Sequence, residues 1–283
     1  MKFFVSTGLS PQVQWQLELM IESFKYSNIN DDLVICFATD SSDNLMKEMT
    51  KNLGNHKATM LMRDYGSERD YDGFNEIFGI ITAMKEKKLG NQFFVLEPDM
   101  VIYRIPKLPE NDRCCQYQVD PSFTIEAAEK ETGIFSLLDI DIKTINKNNW
   151  PMATAPIGFS YMPVEFFEKM LVIADEYVYR QYIKNDNLCP KTMQAILNLT
   201  ISKFLGEINA YPIFDLSCNM RATNIGNFIH YKEGFHPMFH KSMFPYTTSK
   251  FFSLGNPFKV LSQYAPTPAF QHMSNIAQRY LRQ

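Results

Sequence analysis

Residues 91–104 read NQFFVLEPDMVIYR, and this stretch decides the fold because an unbroken apolar run ends abruptly in acid. Residues 93–96 are all apolar, which is typical of a strand buried on both faces, as in a parallel sheet covered by helices. Pro98 ends the strand because it has no N–H to donate to a neighbouring strand. The sequence therefore predicts Glu97 and Asp99 at the C-terminal end of a central strand.

That end of the strand is a natural place for a ligand, since open α/β sheets bind their ligands at the carboxyl edge. The carboxylates of Glu97 and Asp99 repel each other there unless a cation shares them. A divalent metal held jointly by protein oxygens and a phosphate is the candidate. The alternative is an ordinary strand exit with solvated acids. An isolated Glu-Pro-Asp favours that alternative, so the remaining sequence has to decide.

The composition narrows the class of protein. The chain has 283 residues with 23 Phe, 14 Tyr and a formal net charge of −3, so we expect a packed globular core. No basic run or stripe is present, which argues against nucleic acid as a partner. No segment reaches the length of a membrane span, and residues 1–12 do not resemble a secretory signal. We therefore expect a cytoplasmic protein.

The five cysteines are expected to be reduced, mostly buried thiols, because their number is odd and their spacings match no metal-binding knuckle. They are Cys36, Cys114, Cys115, Cys189 and Cys218.

Hydrophobic periodicity predicts alternating strands and helices before the acidic strand. Strands are expected at residues 2–6, 33–38 and 58–62, and helices at residues 11–24, 43–53 and 74–84. In the first helix, the predicted buried face is Val13, Leu17, Met20, Ile21 and Phe24. Three strand–helix repeats and then a strand are the signature of a doubly wound sheet with right-handed crossovers.

The second half of the chain is less regular. Strands are expected at residues 114–119, 156–162, 208–211 and 228–231, and helices at residues 163–178 and 192–205. Between the first two strands, residues 121–149 read as a partly helical excursion. Its Asp139 and Asp141 form a second D-x-D that no buried strand precedes, so we expect it to be solvated. The tail from residue 241 is expected to wrap the surface as a long loop with a short helix at residues 276–281.

The turn after the first strand lacks two common nucleotide-binding motifs. Residues 6–10 read STGLS, without the G-x-G-x-x-G of a dinucleotide site, and no Walker P-loop occurs in the chain. A nucleotide could still bind over the strand ends through Thr7, Asp40 and a tyrosine-rich loop at residues 63–72. Asp40 could accept a hydrogen bond from a base or ribose, or it could cap the turn after it.

Four stretches together resemble the donor half of a GT-A glycosyltransferase. They are VSTG at residues 5–8, FATD at 37–40, FNEIFGIITAMK at 74–85 and FFVLEPDMVIYR at 93–104. The most similar group adds single sugars to hydroxyproline or serine, and it carries an acidic D-x-D followed by Met and a late His-Tyr. His230 and Tyr231 match that late pair. The resemblance covers residues 1–235, with gaps, and implies a Rossmann-like mixed sheet flanked by helices on both faces.

The sequence shows no repeat, no low-complexity tract and no clear linker, so we expect one domain. Residues 1–240 would form a single domain, with residues 1–110 as the half that binds the nucleotide-sugar and residues 111–240 as the acceptor side. Residues 241–283 would be the tail of the same domain.

The activity that this resemblance implies is transfer of a sugar from a nucleotide-sugar, a UDP-sugar, to a glycan, protein or small-molecule hydroxyl. In that fold the last acid of the motif binds Mn²⁺ or Mg²⁺, because the departing nucleoside diphosphate needs its charge neutralised. By the same resemblance, Asp99 and His230 are the metal ligands. Glu97 would face the ribose, or reach the metal through water.

Two positions depart from the pattern of the family. Glu97 replaces the usual first Asp, which moves the carboxylate by about one bond length. Glu76 stands where relatives have Lys after Asn75, a candidate donor contact. Gly158 lies where relatives have a Gly-rich stretch beside the donor sugar, and it would let the backbone approach the ligand closely. The alternative for Gly158 is a place in an ordinary buried strand.

Three further residues are candidates. Arg69 could neutralise a phosphate, or it could be a solvated charge of the loop. Tyr71 could stack on a base or a sugar, or its ring could simply pack within the loop. Asp215, in PIFDLSCNMR, could serve as a base near the acceptor or as a helix cap.

Two other functions stay open. A sugar nucleotidyltransferase could use a similar sheet, but it would normally show a Gly-rich, basic first loop, which residues 6–10 do not provide. A non-catalytic module that binds a nucleotide-sugar or glycan, and has lost its metal, is kept open by Glu97 in place of Asp.

Overall fold

A computed structural model describes residues 1–8, 11–30, 32–38, 58–63, 72–184, 189, 191–213, 217–220, 223–231, 256–264 and 266–281. The chain folds into two compact units. The first unit contains residues 1–4, 65–95 and 108–214, and the second contains residues 5–64, 96–107 and 215–283. Both units take segments from each side of the expected boundary after residue 110. The donor and acceptor roles of the two halves stay a prediction.

The strands of the described residues form two sheets. These strands are β1 (Lys2–Thr7), β2 (Asp32–Ala38), β3 (Ala58–Arg63), β4 (Gln92–Leu96), β5 (Met100–Ile102), β6 (Cys114–Val119), β7 (Ala153–Ser160), β8 (Asn209–Pro212), β9 (Ser217–Asn219) and β10 (Phe228–His230). The larger sheet has the order β3-β2-β1-β4-β7-β6-β8, and the smaller has the order β5-β10-β9. The larger sheet is mixed, because β2 and β3 are parallel while β7 runs antiparallel to both β4 and β6. The expected α/β fold with a mixed sheet is confirmed.

The helices agree with most of the periodicity found in the sequence. They are α1 (Pro11–Tyr26), α2 (Asp72–Lys85), α3 (Ile125–Thr132), α4 (Ile134–Leu137), α5 (Val164–Lys184), α6 (Thr192–Phe204), α7 (Pro257–Tyr264) and α8 (Pro268–Tyr280). The helix expected at residues 43–53 lies outside the described residues. Among the helices that the structure describes, none combines the length and apolarity needed to cross a membrane.

Aromatic packing holds α5 against the sheet of the first unit. The ring of Phe159 on β7 lies 5.4 Å from that of Phe93 on β4 and 5.0 Å from that of Phe167 on α5, centroid to centroid. On its far side α5 contacts α2 through an ion pair between Lys85 and Glu168 at 2.7 Å. These contacts fix β4, the strand that leads into the Glu-Pro-Asp turn, from one side.

The start of β7 is held by a buried polar side chain that the sequence did not reveal. Asn198 on α6 is fully buried, and its Oδ1 accepts from the N–H of Ala153 at 2.7 Å. Its Nδ2 donates to the carbonyl of Ala153 at 3.0 Å and to that of Gln194 at 2.6 Å. This is why β7 begins at Ala153, three residues before the predicted strand.

The second D-x-D lies in the partly helical excursion of the first unit, as expected. Asp139 is 80% exposed and pairs with Arg180. Asp141 caps a 3₁₀ turn by accepting from the N–H of Lys143 at 3.0 Å. The prediction that these acids are solvated is confirmed.

The core of the second unit is built around α1. Leu17, Met20, Ile21 and Phe24 are buried as predicted, while Val13 is half-buried. Trp15 and Leu19 are also fully buried, because they share one apolar cluster with residues of β5, β10, α7 and α8. The expectation that the tail is a long surface loop is therefore wrong for residues 256–275, where Phe258, Phe270 and Met273 lie in this core. The short helix expected at residues 276–281 is present as the end of α8, although that helix already begins at Pro268.

Four of the five cysteines are seen to be free thiols, as expected. Cys36, Cys114 and Cys115 are buried, and Cys189 is half-buried. Burial raises the pKa of Cys114 to about 11, so this thiol stays protonated and unreactive.

Candidate metal centre

The Glu97-Pro98-Asp99 turn is closed by its own backbone. β4 ends at Leu96, and the N–H of Met100 donates to the carbonyl of Glu97 at 3.1 Å. The chain then enters β5, which pairs with β10 rather than with the larger sheet. The proline breaks the strand as the sequence predicted, and the hydrogen bond explains why both acids stay in one tight turn.

Pairing between β5 and β10 carries His230 to that turn. The two strands are antiparallel, with Ile229 opposite Val101 and His230 opposite Met100. One pair further on, the N–H of Tyr231 donates to the carbonyl of Asp99 at 3.1 Å. The backbone ladder therefore extends to Asp99 itself, which fixes the distance between the acidic turn and the histidine.

The three side chains converge on one point. Nε2 of His230 lies 2.9 Å from Oε2 of Glu97 and 3.0 Å from Oδ1 of Asp99. One ligand atom from each residue lies within 4.8 Å of the other two. The side chains of His230 and Asp99 are 4% and 8% exposed, whereas that of Glu97 is 45% exposed. The centre is thus buried on the side of His230 and Asp99 and open to solvent beside Glu97.

Two opposing effects set the pKa of His230 at this centre. Burial lowers the pKa of His230, but the charges of Asp99 and Glu97 outweigh burial and raise it to about 9. Neither contact of Nε2 has hydrogen-bond geometry, so this buried nitrogen faces two carboxylates without donating to either. The attraction between the imidazole and the two acids is therefore electrostatic.

These residues fit a divalent cation. Two carboxylates and one imidazole nitrogen are groups that bind such ions. The buried nitrogen has no hydrogen-bond partner, and a bound cation would supply the missing interaction. Binding an ion requires the imidazole to be neutral, so the ion would take the place of the proton on His230.

The residue next to His230 packs into an apolar cluster. Tyr231 is fully buried, with its ring 6.1 Å from that of Trp15 and 6.1 Å from that of Phe258. Burial, and secondly the charge of Asp99, raise the pKa of the Tyr231 hydroxyl well above its usual value, so the phenol stays neutral. Buried apolar surroundings strengthen electrostatic interactions of the neighbouring charges. Sequence reasoning named Tyr231 in the His-Tyr pair but did not find Trp15 and Phe258, because an apolar residue carries no signal of what it packs against.

The remaining predicted donor contacts that the structure describes lie on three elements. Thr7 is half-buried at the end of β1, and its hydroxyl donates to the carbonyl of Gly8 at 3.2 Å. Asn75 is half-buried in the first turn of α2. Gly158 lies within β7, in the interior of the first unit. Their roles in binding a donor stay predictions.

Packing accounts for the glycine at position 158. A Cβ added there would lie 2.5 Å from Cε1 of Phe94 and 2.8 Å from Cδ2 of Leu108. A side chain at this position would therefore require the Phe94 ring and the Leu108 side chain to shift. The observation supports the alternative of a buried strand position, whether or not a ligand also approaches this backbone.

Four predicted site residues lie outside the described residues, and their roles stay predictions. They are Asp40, Arg69, Tyr71 and Asp215.

Comparisons by sequence find no relative: no protein-family profile matches the chain, and no curated protein matches it. Comparison with solved structures does find a similar fold. The galactosyltransferase LgtC, solved in complex with donor and acceptor sugar analogs, has a TM-score of 0.55 and 10% sequence identity. The match covers 99% of this chain and 96% of that chain. At this identity the likeness shows the fold alone.

Two weaker matches are larger proteins. The bifunctional glycosyltransferase WbbM, in its apo form, has a TM-score of 0.49 and 10% identity, and 82% of this chain matches 45% of that chain. The apo form of glycosyltransferase GlyE from Streptococcus pneumoniae has a TM-score of 0.49 and 9% identity, and 99% of this chain matches 63% of that chain. This chain therefore spans less than two thirds of either protein. The match to LgtC confirms the GT-A-like glycosyltransferase fold that the sequence predicted, while the narrower hydroxyproline and serine group stays a prediction.

Proposed function

We propose that this chain is a metal-dependent glycosyltransferase that moves a hexosyl or pentosyl group from a nucleotide-sugar, a UDP-sugar, to a hydroxyl acceptor. The observation that carries the proposal is the convergence of Glu97, Asp99 and His230 at the carboxyl end of β4. The fold shared with LgtC, whose structure holds donor and acceptor sugar analogs, supports it. The acceptor is a glycan, a protein hydroxyl or a small molecule.

Glu97, Asp99 and His230 would hold the metal ion. Mn²⁺ suits them better than Mg²⁺, because Mg²⁺ takes oxygen ligands and one of these three groups is an imidazole. Bound there, the ion would neutralise the charge that develops on the departing nucleoside diphosphate.

The protein itself has two tasks at this centre. The buried Asp99 and His230 are fixed by the β5–β10 ladder, so their positions need no rearrangement when a donor binds. Glu97 is the exposed member, and it can face the ribose of the donor or the ion.

The remaining candidates complete the proposed site. Asp215 would accept the proton of the attacking hydroxyl group. Proposed donor contacts are Thr7, Asp40, Arg69, Tyr71, Asn75 and Gly158.

A second candidate function is a binding module without catalysis. The ion pairs of His230 favour it, because a protonated imidazole would offset the charge of the two carboxylates without any metal. Such a module would bind a nucleotide-sugar or a glycan without turning it over.

One experiment separates these functions. The protein is incubated with a panel of UDP- and GDP-sugars, with and without Mn²⁺, and release of nucleoside diphosphate is measured beside donor binding. Mn²⁺-dependent release that Asp99→Asn abolishes supports the enzyme. Asp141→Asn is the matched control, because Asp141 belongs to the exposed D-x-D and should leave release unchanged. Donor binding that is equal with and without Mn²⁺, and gives no release, supports the module instead.

A further inference from the structure

β5 has one edge that β10 does not cover. In the β5–β10 ladder, Tyr103 donates to the carbonyl of Asn227 at 2.8 Å, and the carbonyl of Asp99 accepts from Tyr231. Backbone groups alternate in direction along an antiparallel strand. Ile102 therefore directs its N–H and its carbonyl away from β10, towards the other edge.

Ser23 of α1 and Ser27, which lies in the turn directly after α1, bind these two groups. The hydroxyl of Ser23 accepts from the N–H of Ile102 at 3.0 Å and donates to the carbonyl of Met20 in its own helix. The hydroxyl of Ser27 donates to the carbonyl of Ile102 at 3.2 Å. Ser23 is fully buried, and Ser27, four residues later, is half-buried. The Ser23 oxygen accepts from the N–H of Ile102 and uses its own proton for Met20, while the Ser27 hydroxyl donates to the carbonyl of Ile102. Both backbone groups of Ile102 therefore have a hydrogen-bond partner.

The contact of Ser23 is unusual for a serine inside a helix, which usually bonds only to its own backbone or to water. Ser27 lies four residues later, in the turn that ends the helix, and its N–H donates to the carbonyl of Ser23 at 2.9 Å. Together the two hydroxyls match the spacing of one N–H and one carbonyl. The C-terminal end of α1 and the turn after it thus supply what a neighbouring strand would supply.

We infer that Ser23 and Ser27 are positioning residues for the metal centre, acting through β5. They hold the strand that begins directly after Asp99 from its other edge, and so they support the β5–β10 pairing that places the Asp99 carboxylate beside the imidazole of His230. Loss of either hydroxyl loosens the Glu97–Asp99 turn without removing a ligand. The inference rests on the proposed function, since it assigns α1 a role in holding that same ion.

The test is Mn²⁺ titration monitored by EPR, without any sugar nucleotide, so that binding rather than turnover is read. Ser23→Ala is expected to weaken Mn²⁺ binding about tenfold, the scale on which supporting groups of metal sites act. Ser27→Ala is expected to have a smaller effect in the same direction. Ser27→Thr keeps the hydroxyl and should bind Mn²⁺ as the wild type does.

Thr200→Val is the matched control for an ordinary loss of stability. Thr200 is fully buried, and its hydroxyl donates at 2.7 Å to the carbonyl of Ile196 in its own helix, α6. This variant removes a buried hydroxyl from a helix but touches no part of β5. Its unfolding midpoint should fall as that of Ser23→Ala does, while its Mn²⁺ affinity stays at the wild-type value.

Hydrogen exchange of the metal-free protein gives a second measurement. The amide of Tyr231, which donates to Asp99, should exchange faster in Ser23→Ala and Ser27→Ala than in Thr200→Val. Wild-type protein that binds no Mn²⁺ would refute the metal centre, and the role of α1 with it. Wild-type binding that is unchanged in both serine-to-alanine variants would refute the role of α1 alone. If Ser23→Ala does not fold, the comparison of Ser27→Ala with Ser27→Thr decides.

Discussion

Nε2 of His230 lies 3.0 Å from Oδ1 of Asp99, although the two residues are far apart in the sequence. A single backbone hydrogen bond, from Tyr231 to Asp99, extends the β5–β10 ladder to this point. The backbone pairing therefore fixes the positions from which the imidazole and the carboxylate extend towards each other. Substitutions at this centre and in the packing around it should have distinct effects, each measurable on purified protein.

Glu97→Asp is expected to weaken Mn²⁺ binding by at least the tenfold typical of altered metal surroundings. Oε2 of Glu97 lies 2.9 Å from Nε2 of His230, and removing a methylene withdraws the carboxylate by about 1.5 Å. Glu97→Gln keeps the length but loses the charge, and it should weaken binding as well. Mn²⁺ titration checks both variants, with the exposed Glu110→Asp as the control. Equal affinity of Glu97→Asp and the wild type would mean that Glu97 does not touch the ion.

His272 on α8 should make the protein less stable in acid. Its ring lies between Tyr26 and Tyr103, with centroid distances of 5.1 Å and 4.8 Å and both contacts edge-on. Burial lowers the pKa of His272 to about 4, against 6.5 for an exposed histidine, while a bond to the backbone of Ile102 acts weakly in the opposite direction.

Proton binding gives the sign of this effect. Between pH 6.5 and about 4 the unfolded chain holds a proton on His272 that the folded chain does not. The stability that the neutral His272 contributes is therefore fully present above pH 6.5. It is lost as the pH falls towards 4, and the loss in unfolding free energy is about 3 kcal/mol in total. His272→Phe keeps a ring in place but cannot titrate, so its unfolding free energy should change less with pH in this range. Urea unfolding at several pH values measures this difference, and parallel curves for the two proteins would contradict the assignment.

Gly158→Ala should destabilise the protein by about 1–3 kcal/mol, because its methyl group would meet Phe94 and Leu108 at distances that overpack the core. The midpoint of urea unfolding measures the loss. Gly206→Ala is the control, since a Cβ at Gly206 meets no atom within 4 Å and should leave the midpoint nearly unchanged. A Gly158→Ala variant with wild-type stability but weakened donor binding would instead assign this glycine to the ligand.

Asn198→Ala should reduce the free energy of unfolding by about 3 kcal/mol. The substitution removes three buried hydrogen bonds and leaves the N–H and the carbonyl of Ala153 without their side-chain partner. Thermal unfolding is the measurement, and Asn209→Ala, at an exposed position of β8, is the control. An equal and small change in both variants would show that α6 does not anchor β7.

The spacing of apolar residues predicted much of this fold, because strands and helices bury their side chains with different periods along the sequence. Leu17, Met20, Ile21 and Phe24 are buried on α1 as their spacing requires. The same pattern failed for Trp15, which is buried in a cluster that contains Tyr231 and residues of α7 and α8. The sequence predicted a surface loop with only a short helix at residues 276–281 for the tail that supplies α7 and α8, since its Phe, Tyr and Pro residues show no long regular spacing.

The sequence by itself determined the acidic turn. The apolar run and the proline that cannot donate specify where β4 stops. The two carboxylates, one residue apart, are then the side chains that come directly after the strand. These features depend on neighbouring residues alone. The tertiary structure decided which groups meet that turn. β10 brings His230 to the turn, and the end of α1 with the residue after it brings Ser23 and Ser27, through contacts between distant segments. Those contacts depend on the burial of whole elements, which no local period of the sequence encodes.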